Sequence, residues 1–163
     1  MEADRNGTQA RERYFAAEAA MWSHYGLAPT SQTLTVGRSK SALRVQEVGT
    51  GDPILFVHGT GGSGAYLAPL VAELSGSRCL VIDRPGWAVS TPVDYSERPY
   101  ADIVSEILRD TLDALEVERA HVVGASIGDL WALRFAMAEP SRVERVVLLG
   151  GGPISPAVTV PPF

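Results

Sequence analysis

From Pro53 to Leu149 the chain repeats one arrangement: a short unbroken apolar run, a turn, then a helical pattern. The apolar runs are Pro53–Val57, Cys79–Ile82, Ala120–Val123 and Val143–Leu149. Between them, Tyr66, Leu67, Leu70, Val71 and Leu74 mark one face of a helix. Tyr100, Ile103, Val104, Ile107, Leu108, Leu112 and Leu115 mark a longer one, and residues 127–138 read as an apolar helix stopped near Pro140. A strand that is apolar throughout, rather than at alternate positions, is covered on both faces, and helices between such strands make them parallel. The pattern predicts an α/β fold, with a mainly parallel, doubly wound sheet of about six strands and helices on both faces.

Upstream of this repeat, residues 8–25 read as an amphipathic helix carrying Phe15, Ala19, Trp22 and Tyr25, with Thr8 as its cap and Gly26 as its stop. Thr33–Val36 and Ala42–Val48 flank a polar turn and can form a hairpin. The expected organisation is therefore an N-terminal helix and connector (1–31), an α/β core (32–152) and a proline-rich tail (153–163).

A length of 163 residues suits one domain, and 45% apolar with 20% charged residues places the chain among globular proteins. The net charge of −5, without any Lys/Arg block, argues against a nucleic-acid or anionic-membrane partner. A single cysteine, Cys79, leaves no intrachain disulfide and sits in an apolar run, as a buried structural thiol does. The N-terminus is charged, without the apolar stretch of a signal peptide, so a cytoplasmic protein is expected. No H-x-x-x-H pair or cysteine cluster calls for a metal, and no organic cofactor is expected.

Two glycine-rich turns carry the chemistry. The first, His58-Gly59-Thr60-Gly61-Gly62-Ser63-Gly64, follows the Pro53–Val57 run. By itself it fits G-x-G-x-x-G, with Asp83 placed beyond the next strand where a dinucleotide site would hold a ribose hydroxyl. The second, Gly124-Ala125-Ser126-Ile127-Gly128, joins a strand to an apolar helix as a nucleophile elbow does. That turn needs small residues two positions either side of the serine, and it lifts the serine Oγ over a helix N-terminus, where negative charge is favoured. If the two preceding strands are neighbours, the turns face one crevice. Backbone N–H groups of Thr60 and Ile127 could then stabilise an oxyanion formed when Ser126 attacks. A dinucleotide site would explain only the first turn.

With His58-Gly59, Asp83-Arg84-Pro85-Gly86-Trp87-Ala88-Val89-Ser90 and Gly124-Ala125-Ser126-Ile127-Gly128 in that order, residues 32–152 resemble the N-terminal part of the α/β-hydrolase superfamily. The resemblance implies a serine-nucleophile hydrolase of ester, thioester, amide or carbon–carbon bonds, acting on a small molecule of apolar character. It implies structural roles for His58, Gly59, Gly124, Gly128 and Asp83. Two positions depart from the family pattern: Ala88 stands where a glycine is usual, and Asp129 follows the elbow where a second glycine is common.

The resemblance also implies a histidine base and an orienting acid after the serine, and no histidine follows Ser126. His58 belongs to the oxyanion turn, His24 to the N-terminal helix, and His121 starts the strand that leads to the elbow, about 16 Å away at ~3.3 Å per residue. The segment Gly150-Gly151-Gly152-Pro153 offers no acid, and Val146–Leu149 is apolar on both faces, as an inner strand should be. On these grounds the chain is expected to be a fragment, inactive alone, with its tail opening a cap domain. A pseudohydrolase that binds a small apolar ligand in the same crevice is the alternative from another class.

Overall fold

The computed structural model describes residues 2–150 apart from 75 and 97, with side chains from residue 7 onward. The tail expected at 153–163 lies outside the described residues, as do Gly151, Gly152 and Pro153 of the segment that follows the last strand. Among the described residues six strands form one sheet: β1 (Thr30–Val36), β2 (Ser41–Val48), β3 (Asp52–Val57), β4 (Ser77–Ile82), β5 (Ala120–Ala125) and β6 (Val143–Leu149). The spatial order is β1-β2-β4-β3-β5-β6. β1 and β2 form the antiparallel hairpin, and β2 pairs antiparallel with β4. The remaining pairs, β3–β4, β3–β5 and β5–β6, are parallel.

The described residues also form four α-helices: α1 (Glu2–His24), α2 (Ala68–Ala72), α3 (Tyr100–Ala114) and α4 (Ile127–Ala138). Alternate residues of the inner strands go to opposite faces, and both faces are covered. Leu55, Val57, Leu80 and Ile82 join α3 and α4 through Val104, Leu108, Trp131 and Phe135. Ile54, Phe56, Cys79 and Val81 pack with Trp22 of α1 and Val71 of α2. Cys79 is buried, and burial pushes its thiol pKa up.

Two helix expectations are corrected. α1 starts at Glu2, so Thr8 lies inside it and is no cap. Glu2, Ala3 and Arg5 favour helix, and Gly7 weakens it by only about 1 kcal/mol. The helix does end as expected, with Gly26 at φ 71° and Leu27 N–H bonded to Trp22 C=O at 3.0 Å. The helix read from Tyr66 to Leu74 is instead a 3-10 turn, Gly64–Leu67, followed by the five-residue α2. Pro69 explains the break: it has no N–H for an i−4 carbonyl and so is placed in the first turn of a new helix.

β6 is an edge strand of the sheet described, and Val147 and Leu149 are exposed on it. No described helix is long and apolar enough to cross a membrane.

Candidate active site

Strand order places the two glycine turns together. The chain adds β4 on one side of β3 and β5 on the other, so the loops leaving β3 and β5 emerge side by side at the carboxyl end of the sheet. The register runs Phe56↔Val123 and Val57↔Gly124, which brings Gly59 against the elbow. A Cβ on Gly59 would lie 3.1 Å from Ser126 Cβ.

Ser126 caps α4 with φ 55° and ψ −117°, in the left-handed half of backbone space. The glycines around it are demanded by contact. A Cβ on Gly124 would lie 2.6 Å from Asp129 Cα, and one on Gly128 would lie 2.9 Å from the Val57 carbonyl carbon. Ser126 N–H donates to Leu149 C=O at 3.2 Å, and its own carbonyl accepts Asp129 N–H at 2.9 Å. These constraints hold the residue in its strained conformation and leave its side chain exposed at the positive end of α4. Thr60 is also exposed, and neither Thr60 N–H nor Ile127 N–H donates to another described residue.

His58 cannot act as a base here. It is buried, its Nδ1 donates to Gly59 C=O at 2.7 Å, and its Nε2 accepts Arg84 N–H at 2.9 Å. Burial depresses its pKa to about 4 against the help of the Gly59 bond, with Arg84 depressing it further. His121 pairs with Ile54 in the register and, beside Asp52, Pro53, Arg119, Glu144 and Arg145, lines a polar hollow at the opposite end of the sheet. His24 is exposed in the last turn of α1. The ring nitrogens of His58 are thus taken by Gly59 and Arg84, and His121 lies at the far end of the sheet from Ser126.

Asp83 is consumed by the fold. Buried to 1% exposure, it accepts Gly64 N–H at 2.7 Å through Oδ1 and Arg44 Nη1 at 3.3 Å through Oδ2. Burial raises its pKa, while the Gly64 N–H and the Arg44 charge oppose the rise. This excludes the dinucleotide alternative on geometry, because the acid meant for a ribose is bound to the very loop meant for the pyrophosphate. Among the described residues no group of three or more His, Cys, Asp or Glu side chains could hold a metal ion.

Both departures from the family pattern sit in hydrogen-bonded backbone. Ala88 adopts φ 51°, a left-handed conformation natural to glycine, and the turn closes with Trp87 N–H on Arg84 C=O and Ser90 N–H on Trp87 C=O, both at 3.0 Å. Asp129 is buried and turns its Oδ1 onto Leu149 N–H at 3.1 Å; its Oδ2 has no partner among the described residues.

Three residues of the site were not singled out from sequence. Glu18 of α1 and Arg44 of β2 pair behind Asp83, and Arg84 holds the carbonyls of His58 and Gly59. Arg84 stands inside a recognised landmark, but nothing local marks Glu18 or Arg44, which meet across 26 positions.

Residues 52–162 match the family model described as alpha/beta hydrolase fold. The 2-hydroxy-6-oxononadienedioate/2-hydroxy-6-oxononatrienedioate hydrolase of Cupriavidus pinatubonensis is 35% identical over 144 residues, covering 82% of this chain and 49% of that protein. An enzyme of the same description from Dechloromonas aromatica is 32% identical, with 83% and 52% covered. Among solved structures, naproxen esterase from Bacillus subtilis superposes with a TM-score of 0.73 at 22% identity, covering 83% of this chain and 47% of that one. The chain spans about half the length of the curated relatives it matches. The chain belongs to the α/β-hydrolase fold family.

Proposed function

We propose that this chain supplies the nucleophile and oxyanion half of a serine hydrolase. Ser126 Oγ would bond to a substrate carbonyl carbon as its proton passes to a base, with Thr60 and Ile127 N–H groups receiving the oxyanion. Collapse would expel the leaving group, and water would release the acyl group. The observation that carries this reading is Ser126 itself, held at φ 55° and exposed above the α4 N-terminus with Gly59 packed against it. The bond cleaved would be an ester, thioester, amide or carbon–carbon bond to a carbonyl. The names of the relatives favour a small oxo acid as substrate.

Both ring nitrogens of His58 are engaged and His121 lies at the opposite end of the sheet, so the base that takes the Ser126 proton is not assigned to a histidine. The same observation favours the second reading, a non-catalytic binder of a small apolar ligand in the same crevice. One experiment separates the two: labelling of the purified chain by a fluorophosphonate, read by intact mass, with Ser126→Ala as control. For the hydrolase reading the label is expected on Ser126, slowly and with a rate that climbs about tenfold per pH unit between pH 7 and 9, because hydroxide must take the proton. A folded chain that never labels, yet binds apolar ligands equally well as Ser126→Ala, would replace the hydrolase by the binder.

A further inference from the structure

The Arg84 guanidinium is a buried cation that no carboxylate pairs with among the described residues. It is 6% exposed, and its Cζ lies 5.6 Å from the ring centroid of Trp87 and 5.7 Å from that of Trp131. A cation taken out of water is costly unless its donors are used. Here they are used on two consecutive backbone carbonyls: Nε–H donates to His58 C=O at 2.8 Å and Nη2–H to Gly59 C=O at 3.0 Å. The Arg84 backbone N–H holds His58 Nε2 at 2.9 Å, and His58 Nδ1–H returns to Gly59 C=O at 2.7 Å. The Gly59 carbonyl oxygen therefore receives two donors, both from the buried side of the loop.

That carbonyl shares a peptide plane with Thr60 N–H. In a planar trans peptide the C=O and N–H point in opposite directions, and no described peptide is cis. Pulling the Gly59 oxygen toward Arg84 turns Thr60 N–H away from Arg84. The next two residues, Gly61 and Gly62, resist a peptide flip only weakly. We infer that Arg84 is a positioning residue which, by anchoring the His58 and Gly59 carbonyls, aims Thr60 N–H at the oxyanion that forms beside Ser126. This rests on the proposed role of Thr60. An arginine suits the task because its planar fork spans two neighbouring acceptors, which a lysine cannot do.

The test uses the 163-residue chain, labelled with nitrogen-15 and weakly aligned for residual dipolar couplings, as wild type and as Arg84→Gln. In the variant the Thr60 N–H coupling is expected to change while couplings in β3, β5 and α4 stay put. Fluorophosphonate labelling should slow more than tenfold, toward the ~10²-fold loss of one oxyanion donor. Arg84→Lys, which retains the charge between the tryptophans, should show the same Thr60 change and is the decisive variant if Arg84→Gln fails to fold. An unchanged Thr60 coupling in a folded variant would overturn the inference, as would a changed coupling with undiminished labelling. A wild-type chain that takes no label would count against the serine reading alone, and the Thr60 coupling would still decide whether Arg84 sets the peptide.

Discussion

Glu18 of α1 and Arg44 of β2 form a two-pronged ion pair inside the protein, Nη1 to Oε1 at 2.8 Å and Nη2 to Oε2 at 2.6 Å. Both side chains are less than a tenth exposed, and the Phe15 ring covers the guanidinium at 5.2 Å. Arg44 continues to Asp83, and Asp83 to Gly64 N–H, so a line of charge runs from α1 to the loop that flanks Ser126. Removing one member of a buried pair strands the other, at about 3–5 kcal/mol. Glu18→Ala leaves Arg44 with Asp83 and Ser31 and is expected to lower stability by up to that amount in urea denaturation. Glu18→Leu combined with Arg44→Met should recover only part of the loss, because Asp83 then keeps Gly64 N–H but loses its cation. A single variant within about 1 kcal/mol of wild type would show that α1 is not docked through this pair.

Strain at the nucleophile gives a second expectation. At φ 55° the Ser126 side chain costs on the order of 1–3 kcal/mol, and glycine would remove most of that cost while gaining entropy in the unfolded chain. Ser126→Gly should therefore melt higher than wild type, by about 1 kcal/mol, while losing all fluorophosphonate labelling. A lower melting point would mean that the surrounding contacts, not the serine, impose the conformation at no cost. Gly124→Ala and Gly128→Ala should do the reverse and unfold or severely destabilise the chain, since each new methyl meets backbone that cannot yield.

Ala88 offers a milder version of the same test. Its φ of 51° carries a penalty of roughly 1 kcal/mol for a residue with a Cβ. Ala88→Gly is expected to be neutral to stabilising by up to that amount, measured by thermal melting, and to leave the Ser90 hydroxyl on Asp83 C=O. Destabilisation of more than 1 kcal/mol would show that the methyl group is needed in packing.

What could be read in the sequence was what is encoded locally. α4 runs over Ile127–Ala138 and β6 over Val143–Leu149, the limits that the apolar runs and Pro140 imply. That the two glycine turns share one crevice was conditional on β3 and β5 being neighbours, and the sheet order meets that condition. The misreadings were local too: Pro69 interrupts a helical stripe that apolar periodicity carries straight through. The burial of Glu18, Arg44 and Arg84 was not legible, because each is polar by composition and acquires its partners only when α1, β2 and the loop after β4 converge. Nor was the fate of Asp83 fixed by spacing alone, since the same interval serves a ribose in one fold and braces a loop in this one.

The buried imidazole of His58 yields a pH dependence whose sign can be worked out. Its pKa falls from 6.5 to about 4 on folding, chiefly because burial disfavours the charged ring. Between those values the unfolded chain binds a proton that the folded chain does not, so stability rises with pH across this window and is lost as pH drops from about 6.5 toward 4. At 1.36 kcal/mol per pH unit the loss approaches about 3 kcal/mol. Asp83, whose pKa is raised by burial, works in the opposite direction at the acid end, so the histidine is best isolated by difference. His58→Gln can still donate to Gly59 C=O or accept Arg84 N–H, and has no charge to acquire. Urea denaturation at pH 7, 5.5 and 4.5 should show wild type losing stability faster than the variant, the gap between them narrowing by about 2 kcal/mol or more. Parallel curves would mean that His58 is protonated as readily in the folded chain as in the unfolded one, and that the bonds to Gly59 and Arg84 do not hold it neutral.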